Sequence, residues 1–106
     1  MTLMEILSGH SVIVGLKGQN KREILEEIVE AVDESKISDR ERVLEAVLQR
    51  EEIMSTGIGH GIAIPHGKSE YVTELGGVLG IRQEGVDFDS LDGKPTHIFF
   101  LLVSPM

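Results

Sequence analysis

Three glycines alternate at Gly57, Gly59 and Gly61, and Ala63 and the pair Pro65-His66 follow within a few residues. Glycines at that density open backbone conformations closed to other residues and let a ligand approach the chain closely. They also leave amide N–H groups able to face an anion, as in phosphate-binding nests. Pro65 fixes its own φ and keeps Ile64 extended, so His66 is presented in a defined direction. Free imidazole titrates near pH ~6.5, so much of it is neutral and nucleophilic at neutral pH. A histidine held in this way suits attack on phosphorus, with formation of a labile P–N bond. The transition state of such a transfer spreads negative charge and needs a fixed cation and N–H donors. Arg50 stands just ahead of the glycine segment, and its planar fork fits phosphoryl oxygens better than a lysine would. Ser55 and Thr56 add hydroxyl donors, and the backbone of Gly57, Gly59, His60, Gly61 and Gly67 completes the candidate phosphoryl-binding set.

Each of these residues also has a plainer use. A histidine in a loop is commonly a surface polar group, and a cation at the end of a helix commonly complements the helix dipole. Ser55-Thr56 equally reads as a turn or cap. A zinc site from His60, His66 and His97 is conceivable, but no motif with metal-ligand spacing is present. No metal and no cofactor are expected. His10 reads as a turn residue and His97 as a strand-entry residue.

The flanking sequence supplies the elements that must hold this segment. Thr2 to Leu7 predicts a short helix, with Thr2 and Glu5 at capping-box spacing, and Ser11 to Val14 predicts a strand. Gly15 to Asn20 reads as a turn. Lys21 to Ser35 predicts a helix, with Ile24, Leu25, Ile28, Val29 and Val32 on one face and Asn20 with Glu23 at its start. A second helix is expected from about Asp39 to Glu51, opened by Ser38 with Glu41 and buried through Val43, Leu44, Val47 and Leu48. Gly76 to Arg82 and Thr96 to Val103 are short, continuous and aliphatic, as buried strands are. Between them, Glu84 to Phe88 and Asp92 to Pro95 carry turn chemistry. Helices and strands are interspersed without repeats, which predicts an α/β fold with a mixed sheet flanked by helices.

Composition narrows the function classes. One domain fits 106 residues, with 41% hydrophobic and 26% charged residues and a core that must be aliphatic, since aromatics make up 4%. A formal net charge of −8 argues against non-specific nucleic-acid binding and suits either solubility or a basic protein partner. The absence of cysteine excludes disulfides, thiolate metal sites and a cysteine nucleophile within these residues, and is compatible with a reducing cytoplasm. The N-terminal residues lack the pattern of a signal peptide, and the longest apolar run, Ile98 to Val103, is too short to cross a bilayer. The chain stops soon after that strand, at Ser104-Pro105-Met106, so a partner chain or further sequence is expected to help cover the sheet.

The run from Glu51 to Gly67 also carries a resemblance. Glu51, six residues, Ile58-Gly59, two residues, then Ile62-Ala63-Ile64-Pro65-His66-Gly67 resembles, over 17 positions, the phosphohistidine motif of the fructose/mannitol-type enzyme IIA domains of the bacterial phosphoenolpyruvate-dependent sugar phosphotransferase system. Weaker likeness extends through Arg50 to Gly57, Leu91 to Pro95 and Ile98 to Pro105. The resemblance implies a three-layer sandwich with a mixed sheet, and a phosphoryl group accepted on His66 from the histidine-containing phosphocarrier protein. It implies onward transfer to a cysteine of the IIB domain of a sugar permease, a cytoplasmic location, and Arg50 as the phosphoryl clamp. Residues 1–106 would then be one enzyme IIA-like domain without the family's C-terminal helices, a shortened member or a fragment, in which the second active-site histidine has no counterpart. A homo-oligomer is compatible with that. Sugar transport, with fructose favoured by the strand Phe99 to Pro105, and a regulatory role of the nitrogen-related branch share the motif.

Overall fold

A computed structural model describes residues 12–106; the helix expected over Thr2–Leu7, and His10, lie outside the described residues. The elements in order are β1 (Val12–Val14), α1 (Lys21–Glu30), a 3-10 turn (Glu34–Lys36), α2 (Arg40–Ile53), β2 (Gly57–Gly59), β3 (Ile62–Ala63), β4 (His66–Lys68), β5 (Gly76–Val86) and β6 (Thr96–Ser104).

These strands form one mixed sheet in the order β1-β5-β6-β3-β2, with β4 also on β6. Strands β1 and β5 pair parallel, β5 and β6 antiparallel, and β3 and β4 both run parallel to β6. β3 takes Ile98 and Phe99 as partners, and β4 takes Leu102, Val103 and Ser104, so the two short strands follow one another along the same edge of β6. The predicted α/β class with a mixed sheet and flanking helices is the architecture found.

Alternation along the central strands assigns the faces. Phe99, Leu101 and Val103 of β6 are fully buried, whereas Ile98 is 41% exposed. A Cβ on Gly80 would meet Leu16 and Ile28, and one on Gly67 would meet Val47 of α2. Both helices therefore cover the face that carries Val78, Gly80, Phe99, Leu101 and Val103. Val12 and Val14, on the opposite face with Ile98, stay 49% and 78% exposed. Among the described residues that second face has no helix over it, so they supply two layers of the expected three.

All five apolar residues predicted for the face of α1 are buried, and Asn20 caps the helix by accepting from the Glu23 amide at 2.9 Å. The helix ends at Glu30, earlier than the predicted Ser35. Arg40 explains the stop: its Nη1 donates to the carbonyls of Val29, Glu30 and Val32 at 2.7, 3.0 and 3.0 Å. Asp33 then accepts from the Ser35 amide and starts the 3-10 turn. The N-cap of α2 is Asp39, which accepts from the Arg42 amide, and not Ser38. Ser38 is drawn away because its amide donates to the Tyr71 carbonyl at 2.7 Å. α2 also runs on to Ile53, and β5 extends to Val86 through a register shift instead of breaking into a loop at Glu84. Gly85, at φ +80, accommodates that irregularity, with His97 and Pro95 too close for a side chain there.

Candidate functional site at His66

β4 begins at His66, where the chain resumes pairing with β6 after Ile64-Pro65. Two backbone bonds hold the connection: the Ile64 amide donates to the Thr56 carbonyl and the Leu102 amide to the Pro65 carbonyl, each at 3.0 Å. The ring of His66 is exposed, and its Nδ1 lies 2.9 Å from the Ile64 carbonyl oxygen. A carbonyl only accepts, so in this contact Nδ1 carries the hydrogen and the neutral ring keeps its lone pair on Nε2. The backbone two residues upstream thus chooses which ring nitrogen keeps its lone pair.

Arg50 and His66 line one shallow cavity of about 400 Å3, together with Ala46, Gln49, Ile53, Gly67 and Lys68. Nη1 of Arg50 donates to the Met54 carbonyl at 2.8 Å, immediately beyond α2. The guanidinium therefore satisfies a helix-end carbonyl and also borders the cavity at His66. Gly67 brings β4 close to α2: a Cβ there would lie 3.1 Å from Cγ2 and 3.2 Å from the amide nitrogen of Val47.

The other expected phosphoryl ligands sit elsewhere or are engaged within the fold. Gly59, His60 and Gly61 form the turn of the β2–β3 hairpin, with φ of +95, +58 and +77. The Gly61 carbonyl accepts from His97 and Ile98, whereas His66 registers with Leu102. The two places are about four to five positions apart along β6, roughly 15 Å at strand rise, so the hairpin turn does not join His66. The alternating glycines serve this turn, because three successive left-handed residues need them. His60 is held there by Asp92, whose carboxylate accepts from the His60 amide at 3.0 Å and the Lys94 amide at 3.0 Å. Those amides, Lys94's first and then His60's, hold the Asp92 carboxyl below its ordinary value of 3.8.

The hydroxyl of Ser55 donates to the Phe88 carbonyl at 2.6 Å and accepts from the Gly57 amide at 3.0 Å. Thr56 is buried, and its hydroxyl donates to Glu51. Gly57 is buried where a Cβ would meet Ser90, so it is a packing glycine. Of the expected phosphoryl ligands the structure leaves Arg50 and Gly67 beside His66. His97 Nδ1 lies 3.0 Å from the Gln83 carbonyl, and among the described residues no three His, Cys, Asp or Glu groups converge as a metal site.

Sequence reasoning missed the support beneath this segment. Glu51, 7% exposed, accepts from both the amide and the hydroxyl of Thr56 and pairs with Lys21 Nζ at 2.7 Å. A signal was present, because a carboxylate in the last turn of a helix faces the negative end of its dipole and needs another partner. Lys21 Nζ also stands 5.0 Å from the centroid of the Phe88 ring.

Comparison with known proteins shows the family and the fold. The profile of the family described as "Phosphoenolpyruvate-dependent sugar phosphotransferase system, EIIA 2" matches residues 5–106. The chain is 38% identical over 105 residues to the PTS system fructose-specific EIIABC component of Bacillus subtilis, covering 98% of this chain and 16% of that protein. It is similar to the crystal structure of the nitrogen regulatory protein IIA-Ntr from Neisseria meningitidis, with TM-score 0.89 and 33% identity, covering 95% of this chain and 69% of that one. The crystal structure of mannitol IIA from Escherichia coli is similar at TM-score 0.78 and 26% identity, over 91% of this chain and 70% of that one. Among the described residues no helix is long and apolar enough to cross a membrane. The chain belongs to the EIIA 2 family of the phosphoenolpyruvate-dependent sugar phosphotransferase system.

Proposed function

We propose that this domain carries a phosphoryl group on Nε2 of His66, between a phosphorylated histidine of a donor protein and an acceptor domain. The observation that carries the reading is the Nδ1–H bond to the Ile64 carbonyl at 2.9 Å. It leaves the Nε2 lone pair free and exposed for in-line attack on phosphorus. The donor's P–N bond breaks as the Nε2–P bond forms, and the donor ring leaves with the electron pair. Positive charge develops on the His66 ring, which makes the Nδ1–H···O=C bond charge-assisted and stronger in the transition state than before it. The positively charged ring also keeps the new P–N bond labile for the next transfer. Arg50, on the same cavity, pairs with the phosphoryl oxygens once its guanidinium leaves the Met54 carbonyl. Gly67 lets β4 lie close against α2, which brings His66 to the cavity that Arg50 borders.

The donor in this reading is the histidine-containing phosphocarrier protein and the acceptor a cysteine on the IIB domain of a sugar permease, with fructose as the sugar. The likeness to the fructose-specific component supports that branch. The likeness to nitrogen regulatory IIA-Ntr supports a second reading, in which the phosphorylation state of His66 controls binding of regulatory partners. In this reading the domain works in the cytoplasm.

The test is phosphotransfer in vitro. Incubation with phosphoenolpyruvate, the first enzyme of the system and the phosphocarrier is expected to give an acid-labile adduct that His66→Ala abolishes and His60→Ala leaves intact. Undiminished labelling of the His66→Ala protein overturns the assignment. Discharge of the adduct by a fructose-type IIB domain supports transport, and a stable adduct in its presence supports the regulatory reading.

A further inference from the structure

We propose that Glu51 and Lys21 are positioning residues for His66, acting through Thr56 and the Ile64 peptide. This rests on the reading of His66 as phosphoryl acceptor for its rate arm, and on geometry alone for the rest. The path is continuous in hydrogen bonds. Lys21 Nζ lies 2.7 Å from Oε2 of Glu51. That oxygen accepts from the Thr56 amide at 2.9 Å while Oε1 accepts from the Thr56 hydroxyl. The Thr56 carbonyl accepts from the Ile64 amide at 3.0 Å, and the Ile64 carbonyl faces His66 Nδ1 at 2.9 Å. Holding both the amide and the hydroxyl of Thr56 fixes that residue in place and restricts the rotations about its Cα that aim its carbonyl. That carbonyl holds the Ile64 amide, Pro65 keeps Ile64 extended, and the Ile64 carbonyl so directed selects the ring nitrogen that holds hydrogen.

Stability alone explains this arrangement poorly. The Glu51 side chain is 5% exposed and that of Lys21 22%. Withdrawing such charges from water offsets much of their attraction, and buried pairs often exchange for apolar groups without loss. Glu51 also lies in the last turn of α2, where an anion opposes the helix dipole. A carboxylate does offer two acceptors in one plane. Here they take both donors of a single residue and leave that residue no freedom to rotate.

The same pair is braced from the far side of the turn. Lys21 reaches Asp89 at 3.4 Å and stands over the Phe88 ring, whose own carbonyl accepts from Ser55. The two residues at the head of the glycine segment are therefore held by two anchors, Glu51 on α2 and Phe88 ahead of β6. Lys21 ties these anchors together.

The test combines two readouts on the intact chain. Long-range proton–nitrogen correlation spectra of the His66 ring report its tautomer without any phosphotransfer, and the initial rate of phosphorylation from the phosphocarrier reports function. The wild-type ring is expected in the Nδ1–H form. Glu51→Ala and Lys21→Met are expected to give a mixture of Nδ1–H and Nε2–H forms and to slow phosphorylation by tenfold or more. Thr56→Ser, which keeps both donors, is expected to retain the wild-type tautomer and rate, and Thr56→Val to fall between.

Should Glu51→Ala not fold, Glu51→Gln and Thr56→Val provide the same readings, with a mixed tautomer expected in each. Folded variants at Glu51 and Lys21 that keep a pure Nδ1–H ring and a rate within twofold of wild type overturn the proposal. If wild-type His66 takes up no phosphoryl group, the carrier reading fails. The tautomer series then decides the positioning claim by itself.

Discussion

Nη1 of Arg50 and the carbonyl of Met54 are 2.8 Å apart, which ties a cation at the margin of the His66 cavity to the end of the helix that carries it. The bond is exposed and neutral on one side, so in the proposed reading it gives way to a doubly charged phosphoryl group. Arg50→Ala is expected to slow phosphorylation of His66 more than tenfold, about 1.4 kcal/mol of transition-state stabilisation. Arg50→Lys, with a point charge in place of a fork, should recover part of that rate. Both variants should retain the wild-type circular dichroism spectrum. A rate for Arg50→Ala equal to wild type would confine Arg50 to its role at the helix end.

Gly67 is the place where β4 meets α2. A methyl group there would press on Val47, including its backbone nitrogen at 3.2 Å, so the strand must move away from the helix. Gly67→Ala is expected to lower stability in urea by about 1–3 kcal/mol, the usual range for overpacking. His66 adjoins it, so the phosphorylation rate should fall too. An unchanged unfolding midpoint would show that α2 and β4 are less closely fitted than the distances indicate.

Asp92 titrates with consequences for the hairpin. Its carboxyl is held below 3.8 by the amides of Lys94 and His60, so the charged form is favoured by folding. The contribution is present above pH 3.8 and is lost as pH falls through the depressed folded value. The His60 amide resonance is therefore expected to shift on acidification below about pH 4, and Asp92→Asn should remove that transition. The site at His66 should not respond, because the hairpin turn lies roughly 15 Å away along β6. Phosphorylation of the Asp92→Asn protein at the wild-type rate is the corresponding expectation.

Phe99 and Phe88 meet edge to face, with centroids 5.2 Å apart and an interplanar angle of 63°, and both are fully buried. In a chain with 4% aromatics this pair supplies much of the large apolar surface in the core. Phe99→Ala is expected to cost about 3–5 kcal/mol, which a domain of this size tolerates poorly. Chemical denaturation checks it, and a loss under 1 kcal/mol would mean that the neighbouring strands close the cavity.

Much of this fold is legible in the residues. The apolar spacing in α1, the Asn20 cap and the two long strands follow from local periodicity and local chemistry. The early end of α1 does not, because Arg40, ten residues beyond Glu30, supplies the bonds that stop it. The glycines illustrate the harder limit. Gly57, Gly59 and Gly61 have the composition of an anion-binding loop, yet they answer to Ser90 and to a left-handed turn. Residue type states what a backbone permits, and the register on β6 decides what lies near it. Pro65-His66 was readable because a proline acts on its immediate neighbours. The bond from Lys21 to Glu51 spans 30 positions and leaves no periodic trace.

The order of strands in the sheet has a consequence for how the site comes into being. β3 and β4 have β6 as a common partner, and β6 begins 30 residues after His66. Closing so long a loop comes before the contacts that reward it, which makes such pairings slow relative to helix formation. On a ribosome, α1 and α2 can form and dock while Ala63 to His66 still has no strand to align it. In the proposed reading the His66 segment is therefore complete only once β6 is present, because β4 pairs with β6 and the Leu102 amide holds the Pro65 carbonyl.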